Sequence, residues 1–378
     1  MTDPRLTPPI VCLDASPARR DPTGVGVYVR ELAQALEAPL AEGLGYIGVR
    51  RDGPLSDQAR RSGRWAEFRG RQTHLWLQRY ADRDARGLGA SLVHYTNGAA
   101  PIRSSVPYVL TIQDVSVARM PRAHPPQRVV TLPVLLIAAR RAAAIICPSH
   151  ATARELRRLF HLPAARIHVV PHAASALRGG DPALDADAVA RLGLEPGRFI
   201  LAPGTLEPRK NHRRLVRAFE MLAARDRGMR LVIVGAPGWG YGPILKAIEQ
   251  SPMRDRILLT GFVDDELLAS LLRTCALVAY VSLYEGFGLP VTEAMSAGAP
   301  VVTLSVSSLP EVAGDAAVLV DPDDPVAIHR GLVEALDRAA ELRAAGPDRA
   351  ARWTWADAAR ETLAVYQQVL RAREGGEP

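Results

Sequence analysis

The sequence predicts an α/β protein of two similar halves, each a parallel sheet with helices on both faces. Three observations carry this. Strand-length apolar runs alternate with longer helical patterns along the chain, 378 residues exceed one domain at about 150 residues each, and a turn-rich stretch divides the chain near its middle. Hydrophobic residues at 48% and charged residues at 23% allow a sizeable core and exclude general disorder.

In the first half the runs that read as strands are Ile10 to Leu13, Gly45 to Val49, Leu92 to His94, Tyr108 to Ile112, Ala144 to Pro148 and His168 to Val170. Helices intervene, notably Gly26 to Leu36 and Ser149 to Phe160. In the second half strands read at Phe199 to Ala202, Leu231 to Val234, Ile257 to Thr260, Leu277 to Val281, Pro300 to Thr303 and Ala317 to Val320. Between the halves, Gly179-Gly180-Asp181-Pro182 and Glu195-Pro196-Gly197 are turn-forming clusters around a short helical stretch. The expected organisation is a first domain over 1–172, a linker over 173–197, a second domain over 198–351 and a closing helix over 352–378. That helix has Trp355, Ala359, Leu363, Tyr366 and Leu370 on one face, read as core contacts, and ends in a frayed tail from Glu374.

Several classes are excluded. Val129 to Ala139, the longest mainly apolar stretch, is too short for a helix crossing about 30 Å of hydrocarbon. Met1-Thr2-Asp3-Pro4 lacks the basic and apolar pattern of a signal peptide, so the cytoplasm is the expected compartment. Cys12, Cys147 and Cys275 lie far apart among apolar neighbours and read as reduced core thiols, not metal ligands. Up to residue 197 there are 26 Arg, no Lys and 17 acids, a balance of +9; the remaining 21 basic and 23 acidic residues give −2, recovering the net +7. The first half therefore suits an anionic partner or simply carries a solvated Arg surface. Arg50 to Arg86, with Trp65, Phe68, Trp76 and Tyr80 interleaved, fits either an interfacial segment on anionic lipid or a packed helix with an exposed Arg face.

Three segments can carry chemistry. The first follows the strand Leu277 to Val281 and reads Ser282-Leu283-Tyr284-Glu285-Gly286-Phe287-Gly288-Leu289-Pro290 through Glu293. Strand, glycine loop and helix in that order present amides and the positive end of a helix dipole to an anion such as phosphate. Glu285 and Glu293 can accept hydrogen bonds from sugar hydroxyls, or can merely cap a turn and complement the dipole. The second is Gly204-Thr205-Leu206-Glu207-Pro208-Arg209-Lys210-Asn211, where adjacent cations beyond a strand can clamp a pyrophosphate. Lys210 is one of only two lysines, with Lys246, and cations at a helix start oppose its dipole and need a reason. The third, Asp21-Pro22-Thr23-Gly24-Val25-Gly26, is a weak phosphate loop that by itself reads as a plain turn.

Together with Cys147-Pro148-Ser149, Val170-Pro171-His172, Thr260-Gly261-Phe262, the Glu285 to Glu293 spacing and Ser308-Leu309-Pro310-Glu311-Val312, these segments resemble the retaining glycosyltransferases of family 4 over nearly the whole chain. The resemblance implies the GT-B fold, two Rossmann-like doubly wound domains facing across a cleft. It implies a nucleotide-diphosphate sugar held mainly by the second domain, an acceptor held mainly by the first, and a last helix that crosses back to the first. Carried over, it makes Arg209, Lys210 and Glu285 the catalytic group, with Glu285 touching the transferred sugar. Gly24, Gly26, Gly204, Gly286, Phe287, Gly288 and Leu289 become donor-binding, and Glu293 the ribose ligand.

Two positions depart from the family pattern. Thr205 stands where many relatives have Arg, leaving more phosphate charge to Arg209 and Lys210. Thr111-Ile112-Gln113-Asp114 stands where many have His-Asp; Gln113 cannot carry a proton at neutral pH, so Gln113 and Asp114 are expected as sugar contacts.

The reading is a retaining hexosyltransferase, with mannose as a candidate sugar, acting on a glycan or lipid-linked glycan in surface polysaccharide synthesis. It needs no metal or other cofactor and binds no nucleic acid, and its basic half touches the inner face of a membrane. Asp82/Asp84, Asp185/Asp187 and Asp321/Asp323 fit the DxD pattern of a metal-dependent rival. A non-catalytic sugar-nucleotide binder and a nucleotide-sugar epimerase stay open beside it.

Overall fold

Two all-parallel sheets organise the chain in the computed structural model, which describes residues 8–19, 24–175 and 180–374. The first contains β1 (Ile10–Asp14), β2 (Leu44–Val49), β3 (Trp65–Glu67), β4 (Ala90–Tyr95), β5 (Tyr108–Thr111), β6 (Ala144–Cys147) and β7 (Ile167–Val169), in the order β3-β2-β1-β4-β5-β6-β7. The second contains β8 (Phe199–Pro203), β9 (Arg230–Val234), β10 (Ile257–Gly261), β11 (Leu277–Tyr280), β12 (Val301–Leu304) and β13 (Val318–Val320), in the order β10-β9-β8-β11-β12-β13. Each strand run read from the sequence is a strand; β3, a short edge strand of three residues, was not foreseen.

The chain divides into two units. One comprises Met1–Ala118, Gln127–His172 and Thr354–Pro378; the other Arg119–Pro126 and Ala173–Trp353. The stretch 173–197, expected as a linker, contributes the helix Pro182–Ala190 to the second unit. Asp181 caps that helix, and buried Asp185 accepts from Ser270 Oγ at 2.7 Å and from Arg273 Nε at 2.6 Å. Gly179 of the turn cluster and Asp21 to Thr23 of the weak loop lie outside the described residues, as does the tail from 375.

The helix Trp355–Glu374 packs in the first unit's core, where Ala359 and Tyr366 are buried and Trp355, Leu363 and Leu370 lean on the cluster. Tyr366 OH lies 2.6 Å from His94 Nδ1, His94 Nε2 lies 2.6 Å from Thr111 Oγ1, and Thr111 Oγ1 lies 3.0 Å from Tyr28 OH. Tyr28 stacks on His172 at 4.5 Å, and His172 on Trp355 at 5.9 Å. Two helices and two strands thus meet in one buried polar and aromatic chain.

The segment 50–86 is several short elements instead of one amphipathic helix, and part of its aromatic set packs inward. Trp76 is buried with its indole N–H on Asp84 at 3.2 Å, Phe68 lies 5.7 Å from Trp76 beneath the Arg50 guanidinium, and Trp65 packs on the core from β3. Burial of apolar rings outweighs their display beside the arginines. Among the described residues no helix is long and apolar enough to cross a membrane.

Candidate active site

In the second sheet the strand order reverses between β8 and β11, and a doubly wound sheet opens a crevice at the carboxyl ends of the strands there. The two informative segments leave those two ends. After β8, Gly204 takes φ +134°, a region that favours glycine, and the Lys210 stem lies 3.5 Å from where a Cβ would stand. Pro208–Lys210 form one 3-10 turn, and Asn211 at φ +60° turns the chain into the helix His212–Ala223, with the Asn211 side-chain Nδ2 donating to the Pro322 carbonyl at 3.1 Å. The cations therefore sit on a turn ahead of the helix.

The β11 segment meets them directly. Leu283 N donates to the Arg209 carbonyl at 2.8 Å, and Arg209 Nη1 donates to the Tyr284 carbonyl at 2.6 Å. Glu285 Oε1 accepts from Arg209 Nη1 at 2.8 Å, Lys210 Nζ at 2.7 Å, Tyr280 OH at 2.8 Å and Ser282 Oγ at 2.6 Å. Arg209 Nη2 also reaches Glu207 at 2.7 Å. The side chains of Glu285, Arg209 and Lys210 are only 11–12% exposed. Burial would push the Glu285 carboxyl up, but the Arg209 and Lys210 charges and the bonds from Lys210 and Ser282 together outweigh it and hold it at about 2. Burial, with Arg209 beside it, lowers the Lys210 ammonium against the opposing pull of Glu285.

The helix Leu289–Ser296 begins with Pro290 in its first turn and is followed by Gly298 at φ +72°, as its residues predict. Gly288 takes φ +107°, and a Cβ there would meet Leu309 at 3.0 Å. Its carbonyl accepts from the amides of Val291 and Thr292, leaving those of Gly288 and Leu289 without an acceptor among the described residues. Ser308 Oγ lies 2.9 Å from the carbonyls of both Glu285 and Phe287, and Glu285 N donates to Ser307 Oγ at 3.0 Å. Gly286 and Phe287 are buried in this loop, and Glu293 is half-buried on the helix.

The structure thus brings Gly204, Arg209, Lys210, Glu285 and the 286–289 loop to one pair of strand ends. The remaining candidates belong to the first unit. Gly24 and Gly26 lie inside the first turn of the helix Gly24–Leu40 instead of in a loop before it. Gln113 follows β5 and donates to the Thr96 carbonyl at 3.3 Å. Asp114 Oδ1 accepts from Ser116 N at 2.8 Å and Ser116 Oγ at 2.6 Å, so this oxygen serves the short helix Ser116–Arg119.

Tyr280, Ser282, Glu207, Ser307 and Ser308 were missed. Ser282, Glu207 and Ser308 stand inside the quoted segments without a role assigned, whereas Tyr280 reads as an ordinary apolar strand residue. Four of the six Asp-x-Asp residues have other partners: Asp82 with Ser104 and Ser105, Asp84 with Trp76, Asp185 with Arg273, and Asp323 with Arg214. Among the described residues no cluster of three or more His, Cys, Asp or Glu is placed to hold a metal ion.

Residues 22–175 match the family model for Glycosyltransferase Family 4, and residues 188–353 that for Glycosyl transferases group 1. The O-antigen chain mannosyltransferase B of Escherichia coli is 32% identical over 370 residues, 91% of this chain and 96% of that protein. Sucrose-phosphate synthase from Thermosynechococcus elongatus superimposes with a TM-score of 0.77 at 21% identity, covering 97% of this chain and 100% of that one. HepE of Anabaena in complex with UDP-glucose superimposes with a TM-score of 0.71 at 19% identity, covering 97% and 99%. These likenesses give the fold as GT-B. With both halves matched and a relative aligned along nearly its full length, the chain belongs to glycosyltransferase family 4 and is a glycosyltransferase.

Proposed function

We propose that this enzyme moves a hexose, mannose first among the candidates, from a nucleoside-diphosphate sugar to a hydroxyl of a glycan or lipid-linked glycan in surface polysaccharide synthesis, with retention at the anomeric carbon. The observation that carries the proposal is the meeting of Arg209 and Lys210 with Glu285 at the switch point, beside the start of the helix Leu289–Ser296. The name of the Escherichia coli relative supports mannose and an O-antigen-like product, and the UDP-glucose bound to HepE supports a nucleotide sugar.

In this reading the bond from the anomeric carbon to the diphosphate breaks as a bond to the acceptor oxygen forms. The acceptor proton passes to the departing phosphate, so no side-chain base is needed. Arg209, Lys210 and the amides of Gly288 and Leu289 stabilise the charge that grows on the diphosphate. Glu285, held ionised, accepts a hydroxyl of the transferred sugar, and Glu293 accepts from the ribose. In this reading two side-chain cations, Arg209 and Lys210, neutralise the leaving group in place of a metal ion.

A panel of nucleotide sugars tests this by thermal shift, because a donor at 100 times its Kd stabilises by about 2.7 kcal/mol. GDP-mannose is expected to give the largest shift, and labelled mannose should pass to a glycan acceptor with chelator present. No shift from any member, isomerised donor without transfer, or loss of transfer in chelator would reject the respective parts.

A further inference from the structure

We infer that the Tyr280 hydroxyl is a positioning residue of the transfer reaction, holding the Lys210 ammonium and the Glu285 carboxylate in place when substrate draws either away from the other. The inference rests on the assignment of those two groups to the donor diphosphate and its sugar.

Three polar atoms form a closed triangle. Lys210 Nζ is 2.7 Å from Glu285 Oε1, Tyr280 OH is 2.6 Å from Lys210 Nζ, and Tyr280 OH is 2.8 Å from Glu285 Oε1. One hydroxyl can accept from the ammonium while donating its own proton to the carboxylate. The Tyr280 phenol stays protonated, because burial and the Glu285 charge raise its pKa well above the ordinary value. The ring also lies 4.8 Å from the ammonium, adding a cation–π contact.

The corners differ in how they are carried. Lys210 ends a 3-10 turn and Glu285 stands in a loop, whereas Tyr280 is the last residue of β11, inside the sheet between β8 and β12. Thr303 Oγ1 donates to its carbonyl at 2.8 Å, fixing the backbone beneath the ring. A site is held best from rigid elements, and Tyr280 supplies one. Lys210 has three N–H donors, of which Tyr280 and Glu285 take two, leaving the third for a phosphate oxygen. When phosphate pulls on the ammonium and a sugar hydroxyl occupies the carboxylate, the ion pair loosens and the tyrosine bonds remain. Phenylalanine would fill the same core volume, so packing alone does not call for the hydroxyl.

The test compares wild type, Tyr280→Phe and Ser282→Ala. Tyr280→Phe is expected to lower kcat about tenfold to a hundredfold while moving the donor KM by less than about threefold. Loss of the acceptor lowers the Lys210 pKa and loss of the donor raises that of Glu285, so both limbs of the pH profile of kcat/KM move inward. Ser282→Ala removes a bond to the same Glu285 oxygen without touching Lys210, so only its acid limb should move. Unchanged kcat and limbs in Tyr280→Phe, or identical profiles in the two variants, would overturn the inference. Calorimetric titration of wild type with GDP and UDP reads the underlying assignment separately. If neither binds, that assignment falls and the inference with it; if one binds and Tyr280→Phe behaves as wild type, the inference alone falls.

Discussion

Lys210 Nζ and Glu285 Oε1 are 2.7 Å apart, so in the free protein the cation proposed for the diphosphate is already neutralised by the carboxylate proposed for the sugar. With Arg209 bound to Glu285 and Glu207, two positive and two negative side chains balance in one crevice. On the proposed reading a diphosphate entering it would compete with Glu285 for both cations and leave that carboxylate for the sugar.

Loss of the ammonium should be felt in the transition state. Lys210→Ala is expected to lower kcat about 10²- to 10³-fold, with a smaller change in donor KM. Steady-state kinetics with the best donor check this, and near-normal turnover rejects the role.

Removing the competing carboxylate should separate binding from turnover. Glu285→Gln leaves the buried Lys210 ammonium without its carboxylate and Arg209 with Glu207 alone, which costs about 3–5 kcal/mol in the free protein. Nucleoside diphosphate should restore more of the melting temperature in this variant than in wild type, while transfer collapses. Scanning fluorimetry with and without the diphosphate reads both effects, and a shift smaller than wild type contradicts the competition.

Burial holds the His94 and His172 imidazoles down to about 3, whereas unfolded they titrate near 6.5. Below that value the unfolded chain binds more protons, so their contribution is complete above pH 6.5 and declines as pH falls towards 3. Asp14, pushed up to about 6 by burial, acts oppositely between 3.8 and 6, whereas His212, held down to about 4 by burial and Lys210, adds to the two histidines. Stability should therefore fall between about pH 7 and pH 5 by roughly 1–2 kcal/mol for each of these histidines, and the melting temperature with it. His172→Phe keeps a ring between Tyr28 and Trp355 without a titrating nitrogen, so calorimetry should find a smaller drop.

At Gly288 the backbone tolerates no side chain. Gly288→Ala places a Cβ at φ +107° and 3.0 Å from Leu309, and the strain should cost about 1–3 kcal/mol and tilt the helix start. Diphosphate affinity should fall at least tenfold by titration, and wild-type affinity would remove this loop from the site.

The alternation of apolar runs with helical patterns determined the two parallel sheets, because a strand buried on both faces must be apolar along its length. Chemical type and spacing likewise marked Arg209, Lys210, Glu285 and the 286–289 loop, since few other settings place adjacent cations and a glycine turn at strand ends. Tyr280 was illegible because a buried hydroxyl and a buried ring leave the same trace in a strand. The aromatics of 65–80 left two readings open for the converse reason: composition records rings beside arginines without recording that Trp76 is buried with Phe68 against it. Only tertiary structure could decide that Glu285, 75 residues from Lys210 in the chain, is its counterion. That pairing depends on β8 and β11 being neighbours, which is a property of strand order and not of either segment.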